Sequence, residues 1–259
     1  AGATGTGTLG LGVNKPVYIG NGATLRYTGA TATMAGGSAT TANSHTFNLT
    51  GGMGTIHIQT SGTTLTLAGV ISGAGGLTKT GAGELQLNAT ATFSGPLVIA
   101  AGRVISGNVG TDGNANRIAD NTPVIIQSGA FWELTGNDSV GSLAGAGTLV
   151  VSGSSARNPG IGADNTNTTF SGLLAGTQGN SISKRGSGVW TVAMPTTSTW
   201  VGGNTYLDAG VIRVANGMGQ QFNTTATLVI NNAAQSAIFD LNGSSQRVGA
   251  LNFYNTASN

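Results

Sequence analysis

Pro16-Val-Tyr-Ile-Gly-Asn-Gly-Ala-Thr-Leu-Arg-Tyr-Thr-Gly29 reappears as Pro123-Val-Ile-Ile-Gln-Ser-Gly-Ala-Phe-Trp-Glu-Leu-Thr-Gly136, 107 residues further along. Ile238-Phe-Asp-Leu-Asn-Gly243 closes in the same register, so Gly29, Gly136 and Gly243 mark equivalent points of three copies. A second landmark, Leu77-Thr-Lys-Thr-Gly-Ala-Gly-Glu-Leu-Gln-Leu87, returns as Ile182-Ser-Lys-Arg-Gly-Ser-Gly-Val-Trp-Thr-Val192 at a shift of 105, which keeps Gly81 and Gly83 as Gly186 and Gly188. A third, Ala101-Gly102 ahead of Val104, returns as Ala209-Gly210 ahead of Ile212 at a shift of 108. Such small changes of shift are what loop insertions produce between strands of constant length.

Within each copy the pattern is short and strand-like. Thr64–Leu67, Glu84–Leu87, Leu97–Ile99, Thr148–Val151 and Leu228–Ile230 are strand candidates, several alternating with period two. Gly-Ala-Gly, Asn-Gly and Ser-Gly punctuate them and supply the positive-φ residues that tight corners require. No window sustains a 3.6-residue period with caps, so almost no helix is expected. An antiparallel sandwich repeating every 107 residues would make separate domains with linkers, and no linker composition appears at the joins. A parallel β-solenoid absorbs the repeat without joins. Residues 1–259 therefore read as one continuous β-helix segment of about 2.4 copies. At roughly 20–25 residues per coil it would hold about 11–12 coils.

Composition narrows the function classes. The chain has 45 glycines and 5 prolines with no Gly-X-Y register, which excludes collagen. Charged residues are only 7% while hydrophobic residues are 39%, and mean hydropathy is +0.11, too apolar for charge-driven disorder. A net charge of +2 with no Lys/Arg cluster beyond Lys184-Arg185 gives no phosphate-tracking stripe, so no nucleic acid is expected as a partner. There is no cysteine for a disulfide framework or thiol site. No apolar run approaches the roughly 18 residues of a membrane-spanning helix.

Gly76-Leu-Thr-Lys-Thr-Gly-Ala-Gly-Glu-Leu-Gln-Leu-Asn88, then Thr92-Phe-Ser-Gly95, then Ala100-Ala-Gly-Arg-Val-Ile105 resembles the autotransporter-associated β-strand repeat, also called the passenger-associated transport repeat. The copy at Ser181–Val214 is more diverged, with Ile182 for the leading Leu and Trp200-Val-Gly202 for the aromatic-hydroxyl-Gly turn. Val140–Leu149 resembles the glycine-strand segments found between such repeats. The resemblance implies a right-handed parallel β-helix at the surface of a bacterium or secreted from it. It implies no single activity. In autotransporter members it also implies an exporting membrane barrel, which these residues do not contain. Both chain ends fall inside a repeat without a visible polar cap, so the sequence is read as part of a longer chain or as a subunit that stacks end to end on copies of itself.

Candidate chemistry is sparse, and no cofactor is indicated. His45 and His57 have no catalytic motif around them and read as solvated loop or strand residues. Gly5-Thr-Gly-Thr-Leu-Gly10 matches a dinucleotide fingerprint literally, but no βαβ unit follows it. Asp112, Asn114, Asn116 and Asp120 form the best approach to a calcium loop, although Arg117 stands where glycine is wanted and no Glu closes the loop. Turning the chain between coils is the simpler role. Arg26, Glu133 and Asp240 are equivalent across copies, and their change of sign argues for a solvated strand face. Trp132, Trp190, Trp200, Tyr18, Tyr27 and Tyr206 could stack on sugars or pack in the core. Lys79 and Lys184 recur at matching positions and are expected to stand exposed at coil edges, discouraging lateral pairing. The expectation is a non-enzymatic extracellular stalk, filament or adhesin scaffold, with host or matrix glycans or proteins as partners. The alternative is a β-helical protein that binds or cleaves polysaccharide, with Asp112, Arg117 and Asp120 as its candidate groups.

Overall fold

The computed structural model describes residues 16–34, 45–106, 117–153, 156–176, 179–195, 203–231 and 236–254. Among these residues every regular element is a strand, there is no helix, and every strand pair is parallel. The chain visits three faces in turn. Face I begins with Val17–Ile19, Phe47–Leu49 and Ile71–Ser72. It passes through the single bridges Ile71 to Ala91 and Ala91 to Ile118, and resumes as a six-stranded sheet from Ser139–Val140 to Ala250–Tyr254. Face II is a ten-stranded sheet from Thr24–Tyr27 to Ala237–Asp240. Face III is a seven-stranded sheet from Ala32–Met34 to Leu173–Gly176.

A parallel β-solenoid is the result, and the strand candidates of the sequence fall on it. The estimate of 11–12 coils is an overcount, because the longest sheet among the described residues stacks ten strands. The loops between coils are longer than the estimate allowed: Thr24 lies beside Thr55 and Val98 beside Ile125.

Period-two alternation sends one residue of each pair inward, and exact parallel register stacks like on like. On face III, Leu65, Leu85, Val104, Trp132, Leu149 and Leu174 form one inward column. All six are at most 3% exposed. The neighbouring column holds Leu67, Leu87, Ser106, Leu134 and Val151, and there the buried Ser106 hydroxyl accepts the Trp132 indole N–H at 2.8 Å. Fully burying a Leu, Val or Ile side chain contributes about 1.5–3 kcal/mol, so this dry interior is what holds the coils together.

The repeat does not return to the same face. Leu77–Leu87 runs from face II around a Gly81-Ala82-Gly83 corner to face III, whereas Ile182–Val192 runs from face I to face II. Likewise Thr24–Tyr27 and Ala237–Asp240 lie on face II, but Phe131–Leu134, equivalent to both by sequence, lies on face III. The signature therefore specifies a strand, a corner and a strand, and either of two corners can carry it. Gly81 (φ +78°) and Gly186 (φ +65°) make that bend in the left-handed region. At Gly83 a Cβ would run into the Ile58 side chain and the Thr60 carbonyl, and at Gly188 into the Thr166 carbonyl. Gly29, Gly136 and Gly243 follow their strands in different conformations, and only Gly243 has positive φ.

Candidate functional site

The outer surface inherits the same stacking. On face II, Thr24, Thr55 and Thr78 lie in register, followed by Val98, Ile125 and Ala144. Farther along, Thr169, Thr191, Arg213 and Asp240 continue in register. Neighbouring strands sit about 4.8 Å apart, so this is a flat strip of hydroxyls and small apolar groups. At its far end Arg213 Nε donates to Asp240 Oδ2 at 2.7 Å, and that bond holds the Asp240 carboxyl below its ordinary range.

Face III carries a charged ladder outside its inward Leu columns. Thr64 Oγ1 donates to Glu84 at 3.0 Å, Arg103 Nε lies 3.5 Å from Glu84, and Arg103 Nη1 donates to Glu133. Ser152 Oγ completes the series with a 2.7 Å bond to Glu133. The Arg103 guanidinium also lies over the Phe131 ring, 5.4 Å from its centroid. Glu133 and Asp240, read as a solvated face, are thus each held by an arginine.

Two buried cations were not anticipated. Lys79 and Lys184, expected to be exposed, are 0% and 1% exposed. Lys79 stands in an inward column between Ile56 and Ile99, and Lys184 in one between Ile161 and Leu207. Lys79 Nζ donates to the carbonyls of Thr80, Gly81 and Ala101 at 2.9, 2.9 and 3.0 Å. Lys184 Nζ donates to those of Arg185, Gly186 and Ala209 at 2.5, 2.8 and 3.3 Å. Burial pushes both ammonium groups down to about 8, against the opposing pull of Glu84 and Asp164 respectively. The signal was present in the sequence: in Leu77-Thr78-Lys79 and Ile182-Ser183-Lys184 the lysine has the parity of the inward aliphatic.

A buried acid is the third feature. Asp138, 2% exposed, sits on face I where the backbone ladder is interrupted. Its Oδ2 accepts the Ile118 N–H at 3.2 Å. Burial raises its carboxyl to about 8, against the lowering effect of the Ile118, Arg117 and Ser139 backbone donors.

Of the calcium-loop candidates, Asp112, Asn114 and Asn116 lie outside the described residues, while Asp120 is exposed at the following turn. Among the described residues no group of three acids or histidines converges on a point that could hold a metal ion. His45 is buried, not solvated, and His57 is half-buried with Nδ1 3.0 Å from Thr80 Oγ1. Trp132 and Trp190 belong to the core, Tyr18 is exposed, and Trp200 lies outside the described residues. A shallow groove of about 520 Å³ opens at the corner of faces I and II, lined by Asn165, Ser187, Gly210, Val211, Ser236 and Ile238. No helix among the described residues is long and apolar enough to cross a membrane.

The parallel solenoid and its Lys-x-Gly-x-Gly corners agree with the passenger type that the sequence resembles. Residues 77–105 match the family model of the passenger-associated-transport-repeat, as the resemblance implied. The chain is also 32% identical over 212 residues to the adhesin BmaC autotransporter of Brucella suis biovar 1 (strain 1330). That alignment covers 79% of this chain and 6% of the relative, so the chain spans only a small part of that protein's length. No solved structure matches the chain significantly. Residues 77–105 thus carry a passenger-associated transport repeat, and most of the chain is similar to a small part of an autotransporter adhesin.

Proposed function

We propose that this segment is the non-enzymatic scaffold of a bacterial surface adhesin, a stiff rod whose flat outer faces meet host or matrix glycans or proteins. The observation that carries the reading is the likeness to a named adhesin along most of this chain, joined to an unbroken ten-stranded face. The mechanism is mechanical. Backbone ladders run along the rod, and the dry aliphatic columns resist local opening. The contact surface is the face II strip around Thr55, Thr78 and Val98, where a partner meets a plane, not a cleft.

Beads coated with the 259-residue chain provide the test, applied to immobilised matrix proteins and a glycan array. Retention is expected, and Thr55→Asp with Thr78→Asp should abolish it while leaving the unfolding midpoint nearly unchanged. Failure of the coated beads to bind any of these surfaces overturns the adhesin reading. Polysaccharide turnover that disappears in Asp112→Ala would replace it with the cleaving alternative.

A further inference from the structure

The two buried lysines share a feature that neither the fold nor the adhesin role requires. Each ammonium takes two carbonyls from the corner of its own coil, Thr80 and Gly81 or Arg185 and Gly186. The third carbonyl comes from the next coil, Ala101 or Ala209. In both cases that alanine precedes a glycine of positive φ, Gly102 (φ +70°) or Gly210 (φ +68°). A Cβ on Gly102 would press on Lys79 Nζ and on the Gly81 and Gly83 carbonyls, and one on Gly210 would strike the Gly186 and Gly188 carbonyls. The Ala-Gly pair is therefore the lid of the lysine. It arrives 22 residues after Lys79 and 25 after Lys184.

The chain also holds a corner built without a lysine. At Gly145-Ala146-Gly147 the residue two before the first glycine is Leu143, fully buried. There the Gly145 carbonyl is satisfied from the next coil, by the Ser171 N–H at 2.8 Å. An apolar side chain is thus compatible with the corner when the following coil brings its own donor. Where the following coil brings Ala-Gly, the donor comes from within.

We propose that Lys79 and Lys184 are inter-coil locks. A buried cation is costly until its donors are satisfied, and only the docking of the next coil completes the set. Opening coil n+1 strips a carbonyl from the ammonium of coil n, so the two coils open together. The Lys-x-Gly-x-Gly and Ala-Gly pieces of the repeat are the two halves of one device. Two such locks at different corners make two cooperative blocks along the rod, one around residues 76–106 and one around 182–214.

Native-state hydrogen exchange on the 259-residue chain tests this with Lys79→Leu and Lys184→Leu, substitutions for which Leu143 is the chain's own precedent. Lys79→Leu should speed exchange about tenfold or more at Leu97–Ile99 and Arg103–Ser106, the loss expected when a charge-assisted set of bonds is removed. It should leave Thr205–Leu207 and Gly210–Val214 within about twofold, and Lys184→Leu should give the reverse pattern. Equal acceleration at both blocks, or none at the following coil, overturns the locks. If a variant does not fold, the unaltered chain still decides. Slowly exchanging ammonium protons with through-bond coupling to the Gly81 and Ala101 carbonyls are expected by NMR, and a freely exchanging ammonium refutes the assignment.

Discussion

The third side of the rod is built in two ways. Up to Gly176 it is a seven-stranded backbone ladder. Where the chain leaves face II after Val192, glutamine side chains take over that work. Gln221 Oε1 accepts the Met194 N–H at 2.7 Å, and its Nε2 donates back to the Met194 carbonyl at 3.0 Å, the pair of bonds a neighbouring strand would make. Gln246 repeats the device one coil on, accepting from Gln221 N and donating to the Gly219 carbonyl. Gln220 does the same toward Arg247, accepting its N–H at 2.9 Å and donating to its carbonyl at 2.7 Å. The side-chain amide is a peptide group on a tether, so it can replace a strand where the loop path denies one. The difference teaches that the backbone hydrogen bonds of a coil must be met, whereas the source of the partners is free.

Breaking the aliphatic column of the ladder half should cost most. Leu149→Ala removes a fully buried side chain between Trp132 and Leu174 and is expected to destabilise by about 2–5 kcal/mol. The urea midpoint reads it, and the loss should leave the glutamine half protected in hydrogen exchange, because coils of a solenoid contact only their neighbours. Gln221→Ala comes next, at about 2–3 kcal/mol, since it removes both bonds that Gln221 makes to the buried Met194 backbone. Gln221→Leu fills the volume and should recover little of that loss. A variant as stable as the parent would show that the amide is not standing in for a strand.

The two halves also differ in how readable they are. The alternation in Thr64–Leu67 and Glu84–Leu87 announces strands, and Gly81 and Gly83 announce a corner. Face assignment is not announced, because the strand–corner–strand signature fits either corner of the triangle. Residue type argues against lysine burial, since a lysine at a strand end is exposed unless another coil closes over it. The glutamine ladder carries no periodic signal at all. Gln220, Gln221 and Gln246 sit in loops, and only three-dimensional stacking gives them partners. Of the candidate site, the Asp120 region is legible as an Asx-rich turn, but nothing in the sequence around Asp138, eighteen residues on, marks it as buried.

Titration separates the buried acid from the buried bases. Asp138 has a folded-state value of about 8 against 3.8 for the free carboxyl, with Asp120 as the nearby acid that adds to the rise. The folded state therefore binds the extra proton between those values. Its contribution to stability is full below pH 3.8 and is lost as pH rises to about 8. The lysines run the other way. With folded values of about 8 against 10.5, their contribution is full above 10.5 and is lost as pH falls to about 8. These groups together place a minimum of stability near pH 8. Asp138→Asn, which keeps an oxygen for the Ile118 N–H, should flatten the acidic limb. Lys79→Leu with Lys184→Leu should flatten the alkaline limb. Unfolding midpoints across pH 4–11 check both, and a limb that survives its substitution sinks that assignment.

The smallest effect belongs to the charged ladder on face III, and its smallness is informative. Arg103 is shared between Glu84 and Glu133 and rests on Phe131, yet it and Glu84 keep about a third of their side-chain surface in water. Water there screens the pairs, and exposed ion pairs contribute about 0–1 kcal/mol. Glu84→Gln keeps a hydrogen-bonding oxygen for Thr64 and should shift stability by no more than about 0.5 kcal/mol, an effect that disappears in 1 M salt. The coil beneath is already held by Leu85 and Leu87, so the ladder decorates a strand whose place the core has set. A loss as large as that of Gln221→Ala would mean instead that the outer charges organise face III, and that the ladder half, like the glutamine half, depends on side chains for its register.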